Sequence, residues 1–309
     1  MVYGKKGGRY LFAFLLSLLS IPSCKIEENY AVERLWKAEV METRKKAKRW
    51  IVGEEAVVGL DDSLLYYYTP SLKLIAVYKN PVPSIYYPRL YGKFMVYEDT
   101  LFSLKTGKRY NVPRGLYPAC GRDDTLFMKD KKKLYAYMEE DGRLILKREI
   151  TSPVSFPESP FIHPEFFVKK YTYYPGGSRV DVYRRSGGTF YLYSRFHVKH
   201  PERWEEVRFI PPYFVVKKDT CLVLYTLEGE AVDSACGKWG CFGDSISCLY
   251  RENEAMFVVI DEGRLATVFL NVDIGGMASE KYATGRVIYI KNGEGKCMAY
   301  RFSFYFWEH

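Results

Sequence analysis

Seven cysteines carry the clearest chemical pattern in this chain: Cys24, Cys120, Cys221, Cys236, Cys241, Cys248 and Cys297. Cys221 and Cys236 stand equidistant from the turn signal Glu228-Gly229, so across a hairpin they would face each other at a separation a disulfide can span. Cys241 and Cys248 stand symmetrically about Asp244-Ser245, and the same geometry would pair them. Cys120 and Cys297 are then left to tie an early segment to the last one. Cys236 and Cys241 are separated by four residues, not the two of a redox or zinc motif, so disulfides are expected and no metal or cofactor. Seven is odd, and Cys24 is the one without a place in this scheme.

Other groups able to do chemistry are sparse or look solvated. Acidic runs occur at Asp61-Asp62, Asp123-Asp124 and Glu139-Glu140-Asp141. Two carboxylates flanking a bond can hydrolyse a glycoside, but each run reads as a turn. The histidines are His163, His197, His200 and His309. His197 and His200 would point to opposite faces of a strand, which argues against joint chelation. No nucleophile elbow, phosphate loop or dinucleotide fingerprint is present. Tyrosines crowd at Tyr66-Tyr67-Tyr68, Tyr86-Tyr87 and between Tyr171 and Tyr174. They are either half-buried strand residues or a stacking surface for sugars or peptides.

Cys24 gains its meaning from what precedes it. Lys5, Lys6 and Arg9 are followed by an apolar run over residues 10–21, YLFAFLLSLLSI. A run this short cannot span a bilayer, which takes about 20 apolar residues, but it suits a secretory signal peptide. The segment Ile21-Pro22-Ser23-Cys24 resembles the lipobox of prokaryotic lipoproteins, with Pro22 in place of the usual small residue. The resemblance implies cleavage after residue 23, acylation of Cys24 and an extracytoplasmic, membrane-anchored address in the periplasm or at the cell surface. Plain secretion and a retained leader are the alternatives. Removing Cys24 from the count leaves six cysteines for disulfides.

The formal net charge of +9 is spread among acids along the chain. An anionic lipid or envelope partner accounts for it better than nucleic acid, which a secreted protein rarely meets. The sequence contains no Gln and six Asn among abundant Lys, Arg and Glu, a composition expected of a thermophile.

The elements that must position these groups are read from periodicity. Val32, Leu35, Trp36 and Val40 fall on one helical face, with Lys45, Lys46, Lys48 and Arg49 behind them, so a helix is expected within 28–49. A first strand is the rival reading. From Trp50 onward short aromatic and β-branched runs alternate with turn chemistry. Turns fall at Thr69-Pro70, Thr106-Gly107, Asp141-Gly142, Gly187-Gly188, Glu228-Gly229, Glu262-Gly263 and Asn292-Gly293, spaced about 30 to 45 residues. The Pro-rich segment 152–164 is a long loop or a domain boundary.

This rhythm resembles the degenerate repeats of bacterial and archaeal β-propellers. It implies an all-β, propeller-like array of about seven short antiparallel units over 50–309, after a leader at 1–23 and an anchor with a helical spacer at 24–49. A pair of β-sandwiches and an outer-membrane barrel are the rivals, the latter needing longer strands with one lipid-facing side. The function that follows is a membrane-anchored binding or scaffold protein with an envelope protein or polymer as partner. The alternative is an extracytoplasmic hydrolase of polysaccharide or peptide using clustered carboxylates.

Overall fold

The computed structural model describes residues 35–83, 86–157, 162–173, 177–198, 207–210, 212–218, 221–236, 248–251, 254–261, 263–271, 281–284 and 287–305. Every element among them is a strand. β1 (Leu35–Glu42) stands apart from its sequence neighbours. β2 (Arg49–Val52), β3 (Val57–Leu60), β4 (Leu64–Tyr68) and β5 (Leu74–Lys79) form the first sheet, and β6 (Arg89–Tyr91), β7 (Phe94–Tyr97), β8 (Thr100–Ser103) and β9 (Arg109–Asn111) the second. The third unit is β10 (Tyr117–Arg122), β11 (Thr125–Lys129), β12 (Lys133–Glu140) and β13 (Arg143–Thr151). The fourth is β14 (Phe166–Tyr173), β15 (Gly177–Ser186) and β16 (Thr189–Val198), joined to the third by one parallel bridge. β17 (Val207–Ile210), β18 (Tyr213–Lys218), β19 (Cys221–Tyr225) and β20 (Ala231–Cys236) make the fifth unit. β21 (Cys248–Arg251), β22 (Glu254–Asp261) and β23 (Arg264–Asn271) make the sixth, and β24 (Lys281–Thr284), β25 (Val287–Lys291) and β26 (Cys297–Tyr305) the seventh.

The fold is thus all-β and propeller-like, with seven antiparallel units, each containing one of the seven turns expected from sequence. At Asp141-Gly142 both residues have positive φ (49° and 72°), the backbone of a tight hairpin turn that Gly accepts without strain.

Period-two alternation explains the packing. In β7, Phe94 and Val96 join a core shared with Leu126 and Met128 of the third unit, while Met95 and Tyr97 face a core with Val58 and Leu65 of the first. In β4, Leu65 and Tyr67 turn toward the second sheet; Tyr66 and Tyr68 turn toward Tyr289 and Ala299 of the last. Both faces of these inner strands are therefore buried, and each core is shared by neighbouring units. The core around Trp50 joins the first unit to the seventh. Trp50 donates its indole N–H to the Gly295 carbonyl (3.0 Å), and Gly59 lies under its ring, where a Cβ would come within 2.8 Å.

The helix expected within 28–49 is not formed over its described part, which is strand β1 followed by a bend and β2. β1 is the outer strand beside β26. Thr43 N–H donates to the Cys297 carbonyl (2.9 Å), Cys297 N–H donates to Thr43 Oγ1 (3.0 Å), and Lys296 pairs with Glu42. An open strand edge offers a row of backbone partners that outweighs a helical spacing of apolar residues. The N-terminal strand thereby completes the C-terminal sheet, a closure that leaves short edges.

The Pro-rich segment is a packed loop where it is described. Phe156 and Ile162 are buried, and Phe156 lies 4.8 Å from the Phe167 ring and 5.7 Å from that of Phe190.

Candidate functional site

Two of the three acidic runs meet at the seam between the second and third units. The β6–β7 and β8–β9 turns lie at one end of their sheet, and the β10–β11 and β12–β13 turns at one end of theirs. Gly121 brings the two ends together: a Cβ there would sit 2.1 Å from the Tyr91 carbonyl carbon and 2.4 Å from the Gly92 nitrogen. Gly92 itself has φ 57°, so backbone approaches backbone with Gly on both sides. Lys93 follows at once and reaches Asp124 Oδ1 (2.7 Å), while Lys105 reaches Asp124 Oδ2 (2.8 Å). Glu139, at the end of β12, accepts hydrogen bonds from Ser103 Oγ (2.5 Å), Thr106 Oγ1 (2.5 Å) and Tyr110 Oη (2.6 Å). Asp123 N–H donates to Glu55 Oε1 (2.5 Å), which ties in the β2–β3 turn.

Lys93, Phe94, Ser103, Lys105, Asp124 and Glu139 line a shallow depression of about 10 Å3, room for about one water molecule. Hydrogen bonds from Lys105 and Lys93 hold the Asp124 carboxyl below its ordinary pKa. Burial alone would raise Glu139; the three hydroxyl donors outweigh it, with Lys105 adding to them, and the net shift is downward. Tyr110 is pushed up to about 12, by burial first and then by its bond to Glu139. Both carboxylates are therefore kept ionised. Hydrolysis of a glycoside needs a pair in which one carboxyl is held protonated. This site instead presents fixed acceptors and two ammonium groups already paired with Asp124, a polar surface that could meet the tip of a polar group.

The remaining acidic run, Asp61-Asp62, lies elsewhere, in the β3–β4 turn. There Asp61 Oδ1 accepts the Asp62 N–H (3.0 Å), and Lys48 pairs with Asp62. Glu140 pairs with Lys147 (2.6 Å). His163 stacks on Phe166 (4.5 Å between ring centres), and its Nδ1 accepts the Glu165 N–H (3.2 Å). Its pKa is lowered to about 4 by burial, then by Arg122 and Arg185, against Glu165. His197 is exposed on β16 opposite Arg179, and His200 and His309 lie outside the described residues. Among the described residues no group of three or more His, Cys, Asp or Glu side chains is placed to hold a metal ion.

The tyrosine clusters separate into different roles. Tyr66, Tyr67 and Tyr68 are core. Tyr87 is 83% exposed, with the Arg49 guanidinium 4.5 Å from its ring centre. Arg179 lies 4.2 Å and Lys169 5.5 Å from the Tyr171 ring. Beside Arg179, Asp181 is 1% exposed and is gripped by Arg195 through Nε (2.8 Å) and a terminal nitrogen (3.0 Å), with Arg179 Nε at 3.1 Å.

Cys221 and Cys236 are register partners across β19 and β20, the loop being longer than two residues and a bulge between Leu224 and Tyr225 restoring the match. Cys120 and Cys297 do not form the expected long-range staple; each carries a thiol. The reason is placement: Cys120 lies on β10 of the third unit, whereas Cys297 lies on β26, opposite Lys291 in the unit that adjoins the first. Burial, and after it the Glu54 carboxylate, push the Cys120 thiol well above its ordinary pKa, which keeps it unreactive. Cys248 opens β21 opposite Phe257; Cys241 and Cys24 lie outside the described residues.

Sequence reading missed Lys93, Lys105, Ser103, Tyr110, Asp181 and its arginines. The single local signal was the Tyr91-Gly92-Lys93 turn, and nothing in it announces a carboxylate from the next unit.

No family model matches the chain, and no curated protein matches it either. Among solved structures it is similar to PorZ of Porphyromonas gingivalis, described as an essential bacterial surface component of the type-IX secretion system. The identity is 10% and the TM-score 0.42, over 89% of this chain. This chain spans 39% of the length of that one. It is also similar to BBS1N from a complex with ARL6DN (9% identity, TM-score 0.41, 84% of this chain and 92% of that one). A third likeness is to Hsv2 of Kluyveromyces lactis (9%, 0.40, 76% and 86%). Likenesses this distant assign neither a family nor an activity.

Proposed function

We propose that this is a lipid-anchored binding or scaffold protein on the outer face of a prokaryotic membrane, with a rigid array of sheets that presents its turns to an envelope protein or polymer. The observation that carries the reading is the seam pocket: Asp124 and Glu139 are both held ionised by donors they already possess. Such groups recognise and orient a ligand; they are poorly suited to passing a proton. The hydrolase alternative uses the same two carboxylates and requires one of them to be protonated at working pH. The anchor rests on Cys24 and the apolar run before it. A Cys221–Cys236 disulfide fits both the register and an oxidising compartment, and the Gln-free composition fits a thermophilic source.

Cys24→Ser should move the protein from the membrane to the soluble fraction and abolish labelling by a fatty-acid probe; continued membrane attachment would defeat the lipid anchor. Purified protein assayed on envelope polysaccharides and peptides should release no product. Turnover that disappears in Glu139→Gln or Asp124→Asn would replace the binding reading with the hydrolase.

A further inference from the structure

The face of β14–β16 that carries Phe167 and Tyr183 continues beyond that core as a grid of polar side chains. Cross-strand register sets Lys169, Asp181 and Arg195 in one row and Tyr171, Arg179 and His197 in the next. Residues two apart on a strand share a face, so all six project from one side of the sheet. The contacts agree: Arg179 and Lys169 both lie against the Tyr171 ring, and both arginines reach Asp181.

The charges on this face do not balance. Lys169, Arg179 and Arg195 stand against the single carboxylate of Asp181, which leaves two positive charges in excess. Arg195 already takes both Asp181 oxygens, through Nε (2.8 Å) and a terminal nitrogen (3.0 Å). Arg179 Nε lies 3.1 Å from the same Oδ1, but its proton is not aimed there, and it is a buried nitrogen without a hydrogen-bond acceptor. Among the described residues no acceptor bonds the terminal nitrogens of Arg179 either, although the side chain is only 25% exposed. Lys169 is held by neutral acceptors alone, the carbonyl and hydroxyl oxygens of Ser155 (3.2 Å each). A mostly buried guanidinium with unused donors, beside two further cations, is a costly arrangement until an anion completes it.

We propose that this face is a binding site for a phosphate group, as the free ion or as a monoester borne by a larger molecule. A phosphate of either kind carries close to two negative charges near neutral pH, which matches the excess. Arg179 offers a planar fork of donors suited to two phosphate oxygens, and Lys169 adds a point charge. Asp181 and Arg195 are positioning residues: their mutual bond fixes the carboxylate that holds Arg179 in place. The site lies on the fourth unit, separate from the seam between the second and third, and goes beyond the binding reading given above.

The test is calorimetric titration of the full-length chain in detergent with inorganic phosphate and, separately, with glycerol 1-phosphate, at about pH 8 where both are dianions. One site is expected, with acetate binding at least about tenfold more weakly because it brings one charge and two oxygens. An ester that binds at least as well as the free ion would assign a phosphate borne by a larger molecule; tighter binding of inorganic phosphate would assign the ion itself. Arg179→Gln and Lys169→Gln should each weaken phosphate by about tenfold or more, the loss of one charge-assisted bond. Arg184→Gln removes an exposed cation from the opposite face, where its register partner Phe166 packs, and should change nothing. Should Arg179→Gln not fold, Lys169→Gln and the titration of the parent carry the test. No binding tighter than about 10 mM to the parent, acetate as tight as phosphate, unchanged affinity in Lys169→Gln, or an equal loss in Arg184→Gln would each overturn the proposal. Failure here leaves the binding reading of the seam as it was, whereas hydrolysis that depends on Glu139 with phosphate binding intact would remove that reading and leave this site.

Discussion

Replacing Gly121 by Ala tests the contact that builds the pocket. The new Cβ would lie 2.1 Å from the Tyr91 carbonyl carbon, 2.3 Å from its oxygen and 2.4 Å from the Gly92 nitrogen. Ordinary carbon contacts are about 3.5–4 Å, so more than about 1 Å of overlap must be relieved. All three atoms are backbone, so no rotamer change relieves it; the β6–β7 turn and β10 must move apart. Overpacking of this kind costs about 1–3 kcal/mol, and with only backbone to yield the upper end applies. The Lys93–Asp124 pair separates as well, but both side chains are about one-third exposed, and that loss adds at most about 1 kcal/mol. For a domain of this size each kcal/mol lowers Tm by roughly 2–4 °C, so a total near 3 kcal/mol predicts a fall of about 6–12 °C by scanning calorimetry. Gly188→Ala is the matched control, because a Cβ there meets nothing within 4 Å, and its effect should stay within about 0.5 kcal/mol. A Gly121→Ala protein that melts within about 1 °C of the parent would refute the backbone approach and, with it, the geometry of the pocket.

Two further outcomes follow from other parts of the structure. Trp50→Ala empties the core between the first and last units and removes the indole bond to Gly295; it should cost about 3–5 kcal/mol by denaturant unfolding, more than most single core truncations. Asp124 and Glu139 both have folded pKa values below their ordinary ones, so the stability they confer is full above about pH 5 and is lost as pH falls through the folded values. Glu139→Gln removes one of the two, and its urea midpoint should fall less than the parent's between about pH 5 and pH 2. Parallel curves would show that Glu139 does not titrate as its three donors require.

Much of the architecture was legible because its signals are local. A Gly at Gly107, Gly142, Gly187, Gly229 or Gly263 takes positive φ wherever the hairpin places it, so five of the seven turns carry that mark, and Thr69-Pro70 and Asn292-Gly293 are marked by turn-forming residues alone. Cys221 and Cys236 could be set opposite each other from their equal distance to Glu228-Gly229, although it is a bulge between Leu224 and Tyr225 that completes the match. Val32, Leu35, Trp36 and Val40 misled for the complementary reason. Their spacing is helical, yet the choice at Leu35–Glu42 was made by the exposed edge of β26, more than 250 residues away. The Cys120–Cys297 staple failed likewise, since elimination among cysteines carries no information about which sheets are neighbours.

The sequence by itself determined the all-β class, a rhythm of about seven units, the turns and the pairing of strands within most hairpins, because these depend on residues a few positions apart. Only the tertiary structure decided that the first strand completes the last sheet. It alone brought Asp124 and Glu139 together under Lys93 and Lys105 while leaving Asp61-Asp62 elsewhere. Contacts between units are made by turns and strand faces far apart in the chain, and their geometry follows from twist, side-chain volume and the closeness that a Gly such as Gly121 permits. None of these leaves a periodic mark in the order of residues.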